Sequence, residues 1–312
     1  MIENLKLEIG NYLKLKMRIN SAFLLTASAA IIWGATAPIM KLTLAQIPLF
    51  SLAFIRMILA ASILAIFIRH QLKINKKDWL IFCQCAIFGV SLNLALFFFG
   101  LKLTQAINAS FLVASVPIFT ILAAHFLLKE KITTRLIFAA TIALFGIIII
   151  IGKPYTPLEK TATIGNILLL LAGLSWVIHE IVAKKLLKIY DGGVVAFYSM
   201  AIGAATFAPF ALWEFWKDPT WVSGVNTQGF AGLLYGILFA SLLAYWAWQK
   251  GLAQIPAGQA SFFFYLDPIS GVILAIILLG EKITPQLLAG GAAVAIGVIL
   301  AEHHRKIHPL HR

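Results

Sequence analysis

The chain reads as an all-α integral membrane protein of ten transmembrane helices, arranged as two inverted-topology five-helix repeats. Three observations predict this. Of the 312 residues, 61% are hydrophobic and 12% are charged, with a mean hydropathy of +0.93. Soluble domains run near one quarter charged, so most of this surface must meet lipid. The apolar residues fall into ten blocks, each near the roughly 20 residues that span a bilayer. The third observation is a duplication. Residues 251–284, GLAQIPAGQASFFFYLDPISGVILAIILLGEKIT, match residues 100–133, GLKLTQAINASFLVASVPIFTILAAHFLLKEKIT, at fifteen of thirty-four positions. Ala109-Ser110-Phe111 meets Ala260-Ser261-Phe262, Pro117-Ile118 meets Pro268-Ile269, and Glu130 to Thr133 meets Glu281 to Thr284, all at an offset of 151. At an offset of 143, Trp33 and Lys41 meet Trp176 and Lys184, and Ala53-Phe54 with Met57 meets Ala196-Phe197 with Met200. Recurrence at a nearly fixed spacing marks an internal repeat.

Taken in order, residues 1–20 form a basic cytoplasmic N-terminal segment, either a short interfacial helix or a disordered lead-in. Met17 is an alternative start. A cleaved signal peptide is disfavoured, because hydrophobicity continues through Met40. The ten expected spans are 21–43, 50–70, 79–100, 106–129, 134–152, 163–187, 193–216, 228–251, 257–280 and 285–302. They group as a first repeat, 21–152, and a second repeat, 163–302, followed by a cytoplasmic basic tail, 303–312.

Net charge is +13, but the basic residues lie in short clusters between apolar blocks, which suits membrane loops and not nucleic acid. With the N-terminus inside, eighteen Lys and Arg fall on the cytoplasmic side and five in outer loops. That asymmetry places both termini in the cytoplasm of a plasma (bacterial inner) membrane. Five helices per repeat is odd, so the second copy enters from the opposite side. Inverted repeats are a transporter device, since two halves related by an in-plane pseudo-two-fold can exchange conformations.

Within this frame a few residues carry chemistry. Pro117 and Pro268 sit at the centres of the fourth and ninth spans, where each removes a helical hydrogen bond and predicts a kink. Asp267 precedes Pro268 and is the only acid at the middle of either span. It is expected to hold a substrate ammonium, carry a coupling proton, or cap a freed backbone group. His179, Glu180 and Lys184 come from WVIHEIVAKKLL; Glu180 and Lys184 are spaced for an i,i+4 ion pair, and the trio is a coupling or gating candidate. Trp33 and Trp176 are mid-span and repeat-equivalent, and with Asn93, Tyr265 and the Phe262-Phe263-Phe264 run they are expected to line an amphipathic cavity. Arg56, two turns inside the second span, is expected to snorkel outward, the alternative being an internal acid or an anionic substrate. Trp213, Trp216 and Trp221, and Tyr245, Trp246 and Trp248, fit interfacial belts. Ala139, Ala143, Ala289, Ala293 and Gly297 read as packing seams, internal or dimeric. Cys83 and Cys85, two apart on a helix, suit neither a disulfide nor a chelate.

The duplication with Trp33-Gly34, Pro38 and Lys41, the Phe-Ile-Arg ending at Arg56, Ala106 through Pro117, Glu130 and Gly280-Glu281 resembles the drug/metabolite transporter superfamily, in its EamA-type branch of metabolite exporters. The resemblance covers about residues 25–302 and implies a central cavity between the halves, with the fourth and ninth helices among its walls. It implies export of amino acids or similar small metabolites, with no cofactor or metal, and Pro38 as a further kink. One departure is that Thr36-Ala37-Pro38 is answered by His179-Glu180-Ile181, so the halves are electrically unequal. An intramembrane enzyme is disfavoured, since no G-x-S-x-G, H-E-x-x-H or D-D-x-x-D motif occurs. A lipid or drug translocase of the same fold is the alternative. The expected partners are a small-molecule substrate and the bilayer, the expected assembly a monomer or homodimer.

Overall fold

Hydrophobic blocks of about 20 residues satisfy their backbone groups within lipid by forming helices, and helices are what form. The computed structural model describes residues 2–128, 134–151 and 157–307, and no strand occurs among them. We number the helices α1 (Ile2–Leu44), α2 (Leu49–Ile68), α3 (Lys76–Leu103) and α4, which is broken into Ala106–Val113 and Val116–Leu128. They continue as α5 (Thr134–Ile151), α6 (Pro157–Leu186), α7 (Gly192–Lys217), α8 (Thr227–Gln254), α9 (Ala257–Leu279) and α10 (Pro285–Ile307). Seven of these are long and apolar enough to cross a bilayer, and α4, α5 and α10 supply three shorter apolar stretches, one at each remaining expected span. The N-terminal residues continue α1 as helix from Ile2. Glu130 to Thr133, the first copy of the Glu281 to Thr284 motif, lies outside the described residues, as do residues 308–312 of the basic tail.

The packing repeats the sequence symmetry. α5 packs on its counterpart α10, α2 on α7 and α4 on α9, while α1 meets α8 and α9 as α6 meets α3 and α4. A two-fold relation requires these reciprocal pairs. Because each half has five helices, the second runs through the bundle in the opposite sense. Outward-facing side chains such as Phe67, Phe126 and Ile277, the last 70% exposed, form the lipid surface.

Small residues set the close crossings. An added Cβ at Gly146 would lie 2.6 Å from the Gly290 carbonyl oxygen, and one at Gly290 would lie 2.8 Å from that of Gly146. The small-residue seam is therefore internal, between α5 and α10, with Ala143 buried and Ala289 exposed; the Ala139 side chain lies outside the described residues. At the α1–α9 crossing a Cβ on Gly34 would reach 2.5 Å from the Asp267 carbonyl oxygen. α1 passes through Pro38 as one continuous helix. Proline has no N–H to offer the carbonyl four residues back, which is Gly34. That carbonyl lies against Gly271 of α9, where a Cβ would come within 2.8 Å of it.

The two repeat-equivalent lysines do the same work at opposite ends of the bundle. Lys41 Nζ donates to the Thr104 carbonyl at the end of α3, and Lys184 Nζ donates to Leu252 and Ile255 carbonyls at the end of α8, at 2.6 and 2.7 Å. The last carbonyls of a helix have no partner within it, and a lysine supplies one. The ion pair expected between Glu180 and Lys184 is absent for this reason: the ammonium turns to the orphan carbonyls of α8. At the other end Glu281 pairs with Lys41 at 3.6 Å and accepts the Ala106 and Ile107 N–H groups, each at 2.8 Å, capping α4.

Candidate functional site

The site is built around interruptions in four helices, placed in repeat-equivalent pairs. α4 breaks at residues 114–115, immediately before Val116-Pro117, and α9 tightens into a 3₁₀ turn at Phe262–Leu266 before its helix restarts at Asp267. The kinks expected at Pro117 and Pro268 thus fall just ahead of them, with Pro268 opening the second half of α9, where a missing N–H costs nothing. The second pair went unpredicted. α3 widens into a π-helical stretch at Ile87–Ser91, and α8 into one at Gly236–Leu243. Such widenings carry no Pro or Gly signature strong enough to read from one sequence, and they recur at functional sites.

Aromatic side chains of one repeat hydrogen-bond into the π-helical stretch of the other. Trp33 Nε1 donates to the Ala240 carbonyl at 2.9 Å, and Tyr245 Oη donates to the Gly89 carbonyl at 2.9 Å. Ser175 donates to the adjacent Phe88 carbonyl at 2.6 Å. Trp33 lies edge-on to Trp176 at 4.9 Å between ring centroids and to Tyr245 at 5.5 Å, and Trp248 sits 4.5 Å from Phe264. Aromatic contacts of this kind each contribute about 0.5–1.5 kcal/mol beyond their buried area. Tyr245 and Trp248 were expected in an interfacial belt; instead both are buried at this hub. Trp213 and Trp216, the latter 79% exposed, do face outward.

Above the hub lies a cavity of about 100 Å³ between the halves. Trp33, Asn93, Trp176 and Asp267 line it as the sequence suggested, and Tyr265 does not. On a 3₁₀ turn neighbouring side chains diverge steeply, so Phe264 enters the wall while the Tyr265 ring packs toward Phe262 at 5.9 Å. Asn93 Nδ2 donates to the Ala172 carbonyl at 2.8 Å. Thr36, Leu94, Phe97, Val113 and Val116 also line the cavity, and Leu94 and Phe97 carried no signal in the sequence.

Arg56 also lines the cavity, and it does not snorkel. It is 1% exposed; Nε and Nη2 donate to Ser241 Oγ at 3.3 and 3.2 Å, Nη1 lies 3.3 Å from Met40 Sδ, and the guanidinium stands 5.5 Å from the Phe98 ring centre. Snorkelling was reasonable for an arginine two turns inside a helix end, but it presumes lipid beside the side chain. Here α8 stands there, and Ser241, 185 residues away in sequence, holds the guanidinium inward.

On α6, one turn beyond Trp176, His179 and Glu180 are buried, with Lys184 half-buried a further turn along. The His179 ring lies 4.7 Å from Trp176; its Nδ1 is 2.8 Å from the Cys85 carbonyl oxygen and its Nε2 is 2.8 Å from Gln249 Nε2. A carbonyl can only accept, so Nδ1 carries the proton and Nε2 accepts from the Gln249 amide as placed. Glu180 Oε2 accepts from Thr120 at 3.0 Å. No group of three His, Cys, Asp or Glu side chains able to hold a metal occurs among the described residues.

This arrangement, a cavity at the interface of two inverted halves walled by interrupted helices, is one that membrane transporters use. The comparisons place the chain among them. The EamA-like transporter family model matches residues 20–152 and again 163–302, and the chain belongs to that family. It is similar to an uncharacterized transporter of Archaeoglobus fulgidus, at 29% identity over 90% of this chain and 98% of the relative. It is also similar to the uncharacterized transporter YyaM of Bacillus subtilis, at 26% identity over 91% and 94% of the two chains. A solved structure titled only as the crystal structure of a protein aligns at a TM-score of 0.68 and 17% identity, covering 93% of this chain and 99% of the other, a likeness of fold.

Proposed function

We propose that this protein is a secondary transporter working by alternating access, exporting small amphipathic metabolites, amino acids or related compounds, across the plasma membrane with both termini in the cytoplasm. The observation that carries the reading is the aromatic cluster at the interface between the repeats. Trp33, Trp176, Tyr245 and Phe264 line the cavity and pack with the buried Trp248, so the cavity is bounded on that side by a plug of rings drawn from both halves. A channel needs a continuous path; a carrier needs one closed end and a device for exchanging ends. The repeat pairing of α4 with α9 and of α3 with α8 supplies that device. The wall supports an amphipathic cargo: rings and aliphatic side chains for an apolar body, with Asn93, Thr36, Arg56 and Asp267 for polar groups.

Counterflow in proteoliposomes tests this. Vesicles loaded with unlabelled amino acids should transiently concentrate a labelled one, and the effect should vanish in a folded Trp176→Ala protein. Leakage that equilibrates label without a transient excess points to a channel. Scrambling of labelled lipids without amino-acid counterflow favours a lipid translocase.

A further inference from the structure

The aromatic hub is not symmetric in its hydrogen bonds. At the offset of 151 Gly89 corresponds to Ala240, each inside the π-helical stretch of its own repeat. Trp33 donates to the Ala240 carbonyl, so its counterpart Trp176 should donate to that of Gly89. It does not. The Gly89 carbonyl is taken by Tyr245 Oη at 2.9 Å, and the buried Trp176 Nε1 has no acceptor among the described residues. It lies near Glu180, one turn along α6, without closing a hydrogen bond there. Trp176 is nonetheless held beside Gly89. The neighbouring Ser175 is bonded to the Phe88 carbonyl, and a Cβ on Gly89 would come 2.1 Å from the ring of His179, one turn beyond Trp176. Tyr245 in turn corresponds to Leu94, which has no hydroxyl and lines the cavity.

We propose that the Gly89 carbonyl changes donors during transport, from Tyr245 in this conformation to Trp176 once the repeats have exchanged, and that Tyr245 is the positioning residue that biases the carrier toward the conformation seen here. This goes beyond the carrier reading and rests on it. Exchange puts each residue in its counterpart's place. Trp176 then takes the Gly89 carbonyl as Trp33 now takes that of Ala240, and Tyr245 moves to the cavity wall, where Leu94 now stands. The balance is unequal. This conformation closes two bonds of this kind, Trp33 to Ala240 and Tyr245 to Gly89. The exchanged one closes only Trp176 to Gly89, because Leu94 has nothing to donate to Ala240, and a buried carbonyl without a donor is costly. One hydroxyl thus gives two conformations of like fold unlike energies.

Initial cross-linking rates of two cysteine pairs read this balance in the full-length protein. Trp248→Cys with Phe264→Cys reports the present conformation, and Phe97→Cys with Val113→Cys the exchanged one. Tyr245→Phe keeps the ring and removes the hydroxyl. It should raise the ratio of 97–113 to 248–264 cross-linking by about tenfold, the worth of one buried hydrogen bond. Trp176→Phe removes a donor that is idle here and used after exchange, so it should lower the same ratio by a similar factor. General loosening of the hub cannot produce opposite shifts from two ring-preserving substitutions. Leu94→Tyr supplies the missing donor to Ala240 and should raise the ratio with both hub residues intact. Shifts of the same sign in Tyr245→Phe and Trp176→Phe, or no shift in either, overturn the proposal, and the carrier reading then stands if the two pairs still respond reciprocally. A 97–113 pair that cross-links in none of these proteins removes both.

Discussion

Gly34 sits where α1 and α9 come closest, and its side-chain hydrogen occupies space that a methyl cannot. A Cβ there would stand 2.5 Å from the Asp267 carbonyl oxygen and 2.9 Å from its Cα, both backbone atoms that cannot swing away. Overpacking of this kind costs about 1–3 kcal/mol. Gly34→Ala should therefore lower the thermal midpoint in detergent and displace Asp267 from the cavity, whereas Gly224→Ala, with open space around it, should leave the midpoint unchanged. Trp33→Phe keeps the ring contacts but removes the donor to Ala240. A carbonyl left buried without its partner costs about 1–3 kcal/mol, so this variant should be less stable despite its near-identical shape. Of the residues that line the cavity, sequence symmetry picked out Trp33 and Trp176, and isolation in an apolar span picked out Asp267. Arg56 could not be resolved, because its surroundings come from a helix far along the chain.

At the scale of helices, the turns are held by side chains borrowed from the opposite repeat. Glu281 caps α4 and pairs with Lys41, so Glu281→Gln, which keeps the shape but weakens charge-assisted bonds, should destabilise the protein by about 1–2 kcal/mol. Its thermal midpoint should fall, and Lys41→Met should add little further loss if the two act as one unit. At the opposite end of the bundle Tyr190 Oη donates to Asp78 Oδ2 at 2.6 Å and accepts from the Asn75 N–H at 3.0 Å. The carboxylate it donates to raises the Tyr190 phenol above its ordinary value of 10.0. With the folded-state value raised, this tie is complete below about pH 10 and is lost as pH rises through the folded value. Alkaline titration of tyrosinate absorbance should show a late-ionising group that is missing in Tyr190→Phe. The ten spans were legible as blocks of hydrophobicity, and the α4 and α9 breaks were legible as prolines. The π-helical stretches were not, since widening one turn changes which carbonyls are free without demanding any residue type. The Glu180–Lys184 spacing misled for a related reason: i,i+4 geometry permits an ion pair but does not count the unpaired carbonyls of a neighbouring helix.

For the whole molecule, the inverted repeat makes a claim about a second conformation. At the offset of 151, Trp248, Tyr245 and Phe264 of the aromatic hub correspond to Phe97, Leu94 and Val113 of the cavity wall. If the halves exchange conformations, the contact between Trp248 and Phe264, now 4.5 Å between ring centroids, opens as Phe97 closes on Val113. Trp33 and Trp176, each other's counterparts, remain the shared pivot. The duplication in the sequence is what suggests such an exchange. Which residues form each seal required the structure, because Phe97 and Trp248 share no identity to mark them.

Cysteine cross-linking at the two seals, mapped by peptide mass spectrometry, tests this claim most directly. One protein carries Trp248→Cys with Phe264→Cys, the other Phe97→Cys with Val113→Cys. Each pair should cross-link, each cross-link should abolish counterflow until reduced, and conditions that raise the yield of one should lower the yield of the other. A pair at 97 and 113 that never cross-links, or transport that continues with the 248–264 cross-link complete, would contradict alternating access by repeat exchange.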